Sequence, residues 1–288
     1  MNRFNLLFIL LFLSFNSFAQ HKDVWVVLLS GQSNMVGYGN YEDLDNSVKK
    51  RIKKVAKRVF LSTSEKEPKP LSYYIYEGEK FNFNAHFGPE LCIGLTLAEA
   101  YPNQEFLLIK KAVGGTSLYG AWSTNWTAEK ADFSERGVRK EQKLFQAHLQ
   151  LIDFNLKRLT SERKPYKIYG LVWMQGESDT NKEITASAYK TNLENLITGY
   201  RNYLNLEKMP VVIGQVNPLP RKFKEGPEIV RNAMVEVANS DATIEIVKTS
   251  TEIDWKDFPK HADNLHYNTE GQKRLGTSFS EKLIELNQ

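Results

Sequence analysis

Short apolar runs and amphipathic helical patterns take turns along most of this chain, and that alternation leaves few folds open. Val24-Trp-Val-Val-Leu-Leu29 is a valine-rich run with no polar break, the pattern of a strand buried on both faces. Equivalent runs recur at 105–110, 168–174, 210–216 and 243–247. Helical patterns stand between them. In 139–160, Leu144, His148, Leu151, Ile152, Asn155 and Leu159 share one face, and in 183–205 Tyr189, Leu193, Leu196, Ile197, Tyr200 and Leu204 do the same. Shorter helices are predicted over 89–100 and 227–239, each opened by a proline, with a closing helix over 268–286. Buried strands alternating with helices give an α/β fold, a parallel sheet covered on both sides by right-handed crossovers. Only 40–88 breaks the rhythm. It holds a basic helix, a polar turn at 62–70 and two hairpin-like strands at 71–76 and 80–84, and reads as an insertion near the site.

The first nineteen residues have a different character. Met1-Asn2-Arg3 is a short positive start, 4–15 is a nearly unbroken apolar run, and Ser17 and Ala19 are small residues placed for cleavage before Gln20. This is the pattern of a secretory signal peptide, and the run falls short of the ~20 residues that span a bilayer. The expectation is a leader at 1–19 and a single domain at 20–288, exported to the periplasm or the extracellular space.

Composition then removes several classes. With 41% hydrophobic and 25% charged residues, the 288-residue chain is neither collagen-like nor disordered. The formal charge of +4 is spread along the sequence, and its densest basic stretch, Lys49 to Arg58, has the spacing of a solvated helix face. Neither nucleic acid nor a membrane is an expected partner. The lone Cys92 cannot form an internal disulfide, and its place in the predicted 89–100 helix makes it a small buried apolar residue.

Chemistry is expected beyond the carboxyl ends of the strands. Four segments lie there. Ser30-Gly31-Gln32-Ser33-Asn34-Met35 follows the first strand, and Gly31 permits a tight turn that presents the Ser33 hydroxyl. Ala112-Val113-Gly114-Gly115-Thr116-Ser117 follows the second, and its glycines let a backbone N–H approach a ligand. Trp173-Met174-Gln175-Gly176-Glu177-Ser178-Asp179 follows the third, where the Gln175 amide could donate to an oxyanion. Asp263-Asn264-Leu265-His266 precedes the last helix, with a carboxylate spaced to hold the histidine Nδ1–H. Singly, each has an ordinary explanation: a turn, a loop, a tie between loops, a structural histidine. In this order they supply a nucleophile, a base, an orienting acid and oxyanion donors, the full set for acyl transfer.

Other motifs do not compete. No Lys-Ser/Thr follows Gly31 as a phosphate loop requires, and Ser33, Ser178 and Ser278 all lack the closing glycine of a lipase elbow. His261 and His266 stand apart from other ligand types, so no metal site is indicated. Asn125-Trp126-Thr127 is a glycosylation acceptor pattern. Tyr119, Trp122, Trp126 and Trp255 could stack on sugar rings, and a catalytically inactive carbohydrate-binding protein is the alternative from another class.

The four blocks together resemble the signature of the SGNH hydrolases, and more narrowly the sialate O-acetylesterase and carbohydrate esterase family 6 (acetylxylan esterase-like) branch. The resemblance runs from about Val24 to Leu286. It implies a three-layer α/β/α sandwich with a flavodoxin-like sheet, no cofactor, and removal of acetyl groups from an oligo- or polysaccharide. It also implies Ser33 as nucleophile, His266 as base, and an oxyanion hole made by the Ser33 N–H, Gly114 or Gly115, and Gln175. Asp263 is the expected partner of His266. Glu177 is its rival, because some members use the acid of the Gln-Gly-Glu block, and a third arrangement gives Asp263 the histidine while Glu177 braces the oxyanion loop. Neither the oligomeric state nor the identity of the sugar follows.

Overall fold

The strand at 24–29 has no polar face because helices cover it from both sides. The computed structural model describes residues 23–218, 221–250 and 257–288. The leader predicted at 1–19, and Trp255, lie outside them. β1 (Val24–Gly31) runs through the middle of a seven-stranded sheet with β2 (Val59–Ser62), β3 (Lys69–Pro70), β4 (Phe106–Ala112), β5 (Tyr166–Met174), β6 (Val211–Gly214) and β7 (Ile244–Val247). The order is β7-β6-β5-β1-β4-β2-β3, and every neighbouring pair is parallel except β2–β3 at the edge.

Alternate residues of β1 point into two separate cores. Val26 and Leu28 join the core under α5 (Leu144–Ser161), α7 (Tyr189–Leu204) and α8 (Gly226–Ser240). Val27 and Leu29 join the core under α2 (Asn46–Val55), α3 (Glu90–Ala100) and α9 (Thr269–Leu286). The fold is therefore the expected α/β/α sandwich with a mainly parallel sheet. Among the described residues, no helix is long and apolar enough to cross a membrane.

Three local expectations change. The stretch 40–88 is not wholly an insertion, because β2 pairs in parallel with β4 and belongs to the main sheet. Its four residues, preceded by a basic helix, carry too short an apolar signal to stand out. The predicted strand at 80–84 is loop; Tyr74–Ile75 pairs instead with Ala85–Phe87, which also pairs with Gly39–Asn40 in a small antiparallel sheet. The helix at 183–205 is broken into α6 (Glu183–Ser187) and α7, and the one at 139–160 begins at Leu144 after a tight turn at Gly137–Glu141. The basic stretch is a solvated helix face as expected: α2 buries Val48, Ile52 and Val55, while Arg51 forks onto Glu99. Cys92 is buried, and that burial pushes its thiol up to about 12.

Register sets up the site. Gly31, Ala112 and Met174 lie side by side at the carboxyl ends of β1, β4 and β5, so the loops that follow leave the sheet at one level. The approach is tight at Gly31, where a Cβ would overlap the Met174 carbonyl, and Gln32 N donates to that same oxygen at 3.0 Å.

Candidate active site

Immediately after β1 the chain turns into the single-turn helix α1 (Ser33–Val36). Two groups hold its far end. Lys110 Nζ donates to Val36 O at 2.9 Å and pairs with Glu90 Oε2 at 2.6 Å, both side chains being buried, while Glu90 Oε1 accepts from Gly88 N at 3.0 Å. Burial lowers the Lys110 ammonium, and the Glu90 charge opposes that. Removing one partner of such a pair leaves a buried charge uncompensated, so Lys110→Met should lose about 3–5 kcal/mol of stability. Urea unfolding of the two proteins measures it, and a loss below about 1 kcal/mol, the scale of an exposed pair, would show that the ion pair does not hold α1.

A cavity of about 610 Å³ opens over Ser33. Its lining brings together Ser33, Gly114, Gly115, Glu177 and His266 from four loops. Gly114 packs against the Ser33 turn, its Cβ position lying 3.5 Å from Ser33 Cβ. Gly115 has a left-handed φ of +71°, which lets the backbone turn beside Ser33 without strain. Asn264 is also left-handed (φ +51°), and this curls Asp263 back over its own loop. Asp263 Oδ2 accepts from His266 Nδ1 at 2.6 Å, and Oδ1 accepts from the Leu265 and His266 amides, both at 3.0 Å. Burial works against the Asp263 charge, yet those hydrogen bonds outweigh it and hold the carboxyl down to about 2.

With Nδ1–H donated to Asp263, Nε2 is the free basic nitrogen. Ser33 and His266 face the same cavity, but no hydrogen bond joins them. The neighbour of the ring is Lys80, whose Nζ lies 3.0 Å from Nδ1 and 3.4 Å from Nε2. Tyr38 stands edge-on to the imidazole at 5.0 Å, and burial keeps its phenol up at about 12, hence neutral. Burial lowers the His266 pKa, with Asp263 opposing and Lys80 adding to the fall. For His266 as the expected base, which works only when unprotonated, the acid limb of kcat/KM should have its midpoint below the ordinary histidine value of about 6.5. Lys80→Met removes that cation while filling the same space, and its loss moves the midpoint upward. A pH–rate profile of the two proteins reads the shift.

Glu177 does not touch His266. Its Oε1 accepts from Asn34 Nδ2 at 2.8 Å, and its burial raises the carboxyl against that bond. Asn34 is the link that sequence reasoning missed. Its Nδ2 also donates to Leu265 O at 3.3 Å, and its Oδ1 accepts from Tyr267 N at 3.1 Å. Glu177 therefore braces, through Asn34, the junction of the Ser33 turn and the histidine loop.

Gln175 needs a correction as an oxyanion donor. It lies fully buried beneath the cavity, and the two hydrogens of its Nε2 meet Asp179 Oδ2 (2.6 Å) and Thr116 O (2.9 Å), with Gln32 Oε1 a further acceptor at 3.3 Å, which leaves no N–H for a ligand. Asp179 also takes the Leu118 and Tyr119 amides at 2.9 and 3.0 Å, and burial still lifts it to about 7. This buried knot fastens the loop after β4 to the loop after β5. The expected sugar platforms are corrected too. Trp122 is fully buried, edge-on to Trp173 at 5.2 Å, and neither Tyr119 nor Trp126 lines the cavity, whose aromatic walls are Tyr38 and Phe133.

The model of the family described as carbohydrate esterase, sialic acid-specific acetylesterase, matches residues 22–285. The chain belongs to this carbohydrate esterase family. A probable carbohydrate esterase of Arabidopsis thaliana is 29% identical to it over 130 residues, so the match spans 45% of this chain and 45% of that protein. A solved Arabidopsis thaliana structure superposes with a TM-score of 0.66 at 19% identity, covering 92% of this esterase-family chain and 99% of the other. The crystal structure of NanS does so with a TM-score of 0.60 at 15% identity, covering 91% and 97%. At these identities the two structures share the esterase family's fold.

Proposed function

We propose that the protein is an exported serine esterase that removes O-acetyl groups from carbohydrates. The observation that carries this reading is a single cavity lined by Ser33, Gly114, Gly115 and His266, with Asp263 on the far nitrogen of the imidazole. Ser33 Oγ gives its proton to His266 Nε2 and attacks the acetyl carbonyl. The Ser33 N–H and the N–H groups of the Gly114–Gly115 turn receive the negative charge that develops on the carbonyl oxygen. The C–O bond to the sugar breaks, His266 returns the proton to the departing sugar oxygen, and the acetyl group stays on Ser33. Water then repeats the sequence, the proton passing through His266 back to Ser33 Oγ, and acetate leaves. Asp263 holds the ring in the tautomer that keeps Nε2 basic and stabilises the imidazolium while it lasts.

Acetate release from 4-nitrophenyl acetate and from acetylated xylo-oligosaccharides tests the chemistry. Absence of both activities would leave the inactive carbohydrate-binding alternative standing. Export rests on the sequence of residues 1–19, and N-terminal sequencing of the mature protein, expected to begin at Gln20, checks it.

A further inference from the structure

The cavity over Ser33 is much more positive than the chain as a whole. Lys80, Arg136, Arg139, Lys182 and Arg221 all line it. Of its two acids, Glu135 accepts through Oε1 from the Ser117 amide (2.8 Å), the Ser117 hydroxyl (2.6 Å) and the Ala121 amide (3.1 Å), while Glu177 accepts through Oε1 from Asn34 and its charge also acts on Arg221, leaving a net excess of three cations. Among the described residues, no carboxylate forms an ion pair with Arg136, Arg139, Lys182 or Arg221, and Lys80 has only Asp263 at 3.8 Å. Burial lowers both the Lys80 and the Arg221 cation, so an anion that reaches them regains what desolvation has cost.

The positions of these charges are informative. The Arg139 guanidinium lies over Gly115, with its Cζ 3.6 Å from that residue's Cβ position. Arg221 comes from another segment, donating from Nε to Thr180 Oγ1 at 3.2 Å. Lys80 comes from a third and stands beside His266. Cations from three segments, each held by a different neighbour, around a space for a few sugar rings suit a ligand that carries acids on more than one ring.

We propose, resting on the esterase reading above, that the substrate is an acetylated acidic oligosaccharide with carboxylates on the sugars flanking the acetylated one. Arg139 and Arg221 hold those carboxylates on either side of Ser33. An anion beside Lys80 also competes with His266 for that cation.

The test compares O-acetylated oligogalacturonate with the same oligomer after carboxyl reduction, matched for acetyl content, and with monomeric O-acetyl-N-acetylneuraminic acid. The acidic oligomer should have a kcat/KM about tenfold or more above its neutral counterpart, the value of a single charge-assisted hydrogen bond. That advantage should shrink as ionic strength rises from about 0.02 to about 0.5 M. Arg139→Gln and Arg221→Gln should each raise KM for the acidic oligomer several-fold and change kcat much less. Equal rates on the acidic and neutral oligomers would overturn the proposal, and a monomer as good as the acidic oligomer would overturn the need for more than one acid. Hydrolysis of 4-nitrophenyl acetate separates these results from failure of the esterase reading, which would abolish it too.

Discussion

Ser33→Ala should fold normally and release acetate about a millionfold more slowly than the parent, at or near the background of the assay. Removal of the nucleophile from a serine triad costs about that factor, because the base and the orienting acid have nothing left to act on. Retention of the fold follows from the surroundings. The hydrogen bonds that shape the turn are backbone bonds, Met35 N and Val36 N to Gln32 O and Gly37 N to Ser33 O, and none uses the Ser33 hydroxyl. Loss of one oxygen that faces a cavity should change stability by less than about 0.5 kcal/mol. Acetate release and a thermal melt on one preparation give both numbers. Full activity in this variant would remove the serine mechanism altogether.

The second large effect separates the two acids. Asp263→Asn keeps an oxygen for the Leu265 and His266 amides, so the loop keeps its shape. It places an NH2 against Nδ1, which forces the imidazole into the opposite tautomer and takes the lone pair from Nε2. The expected loss in kcat is up to ~10⁴. Glu177→Gln keeps an oxygen for Asn34 and should cost less than about tenfold, since that hydrogen bond keeps its acceptor. A larger loss in Glu177→Gln than in Asp263→Asn would reverse the assignment of the acid. Acidity should reveal the same distinction. Asp263 is held low, so the stability it contributes is present above its unfolded pKa of about 3.9 and disappears as pH falls toward 2.

The architecture was legible because its signals are local. The runs at 105–110 and 168–174 became β4 and β5 within two residues at either end, and the faces read on 139–160 and 183–205 are the buried faces of α5 and α7. β2 escaped because four residues give too few alternations to separate a strand from a loop. Ser33, Gly114, Gly115, Asp263 and His266 could be singled out because each lies just past a strand or just before a helix, where chemistry is expected. Gln175 was legible as important but not in its role. A buried amide that serves Asp179 and one that faces a ligand have the same sequence. Trp122 failed for a similar reason, since proximity to the site along the chain does not say which way a side chain points. The cations of the cavity had no sequence signal, as Lys80, Arg139 and Arg221 come from loops far apart in the chain and a formal charge of +4 averages them away.

Asn34 has one more consequence, for the order in which the molecule becomes competent. It bonds across more than 230 positions of sequence to Leu265 and Tyr267, and its own carbonyl accepts from Gln272 Nε2 at 3.3 Å. A chain growing from its N-terminus has all seven strands of the sheet once residue 247 is made, yet lacks His266, the clasp that ties its loop to the Ser33 turn, and α9, which covers one of the two cores. On the proposed mechanism, activity arrives only with residues 248–288, which bring the proposed base, its acid and their bonds to Asn34.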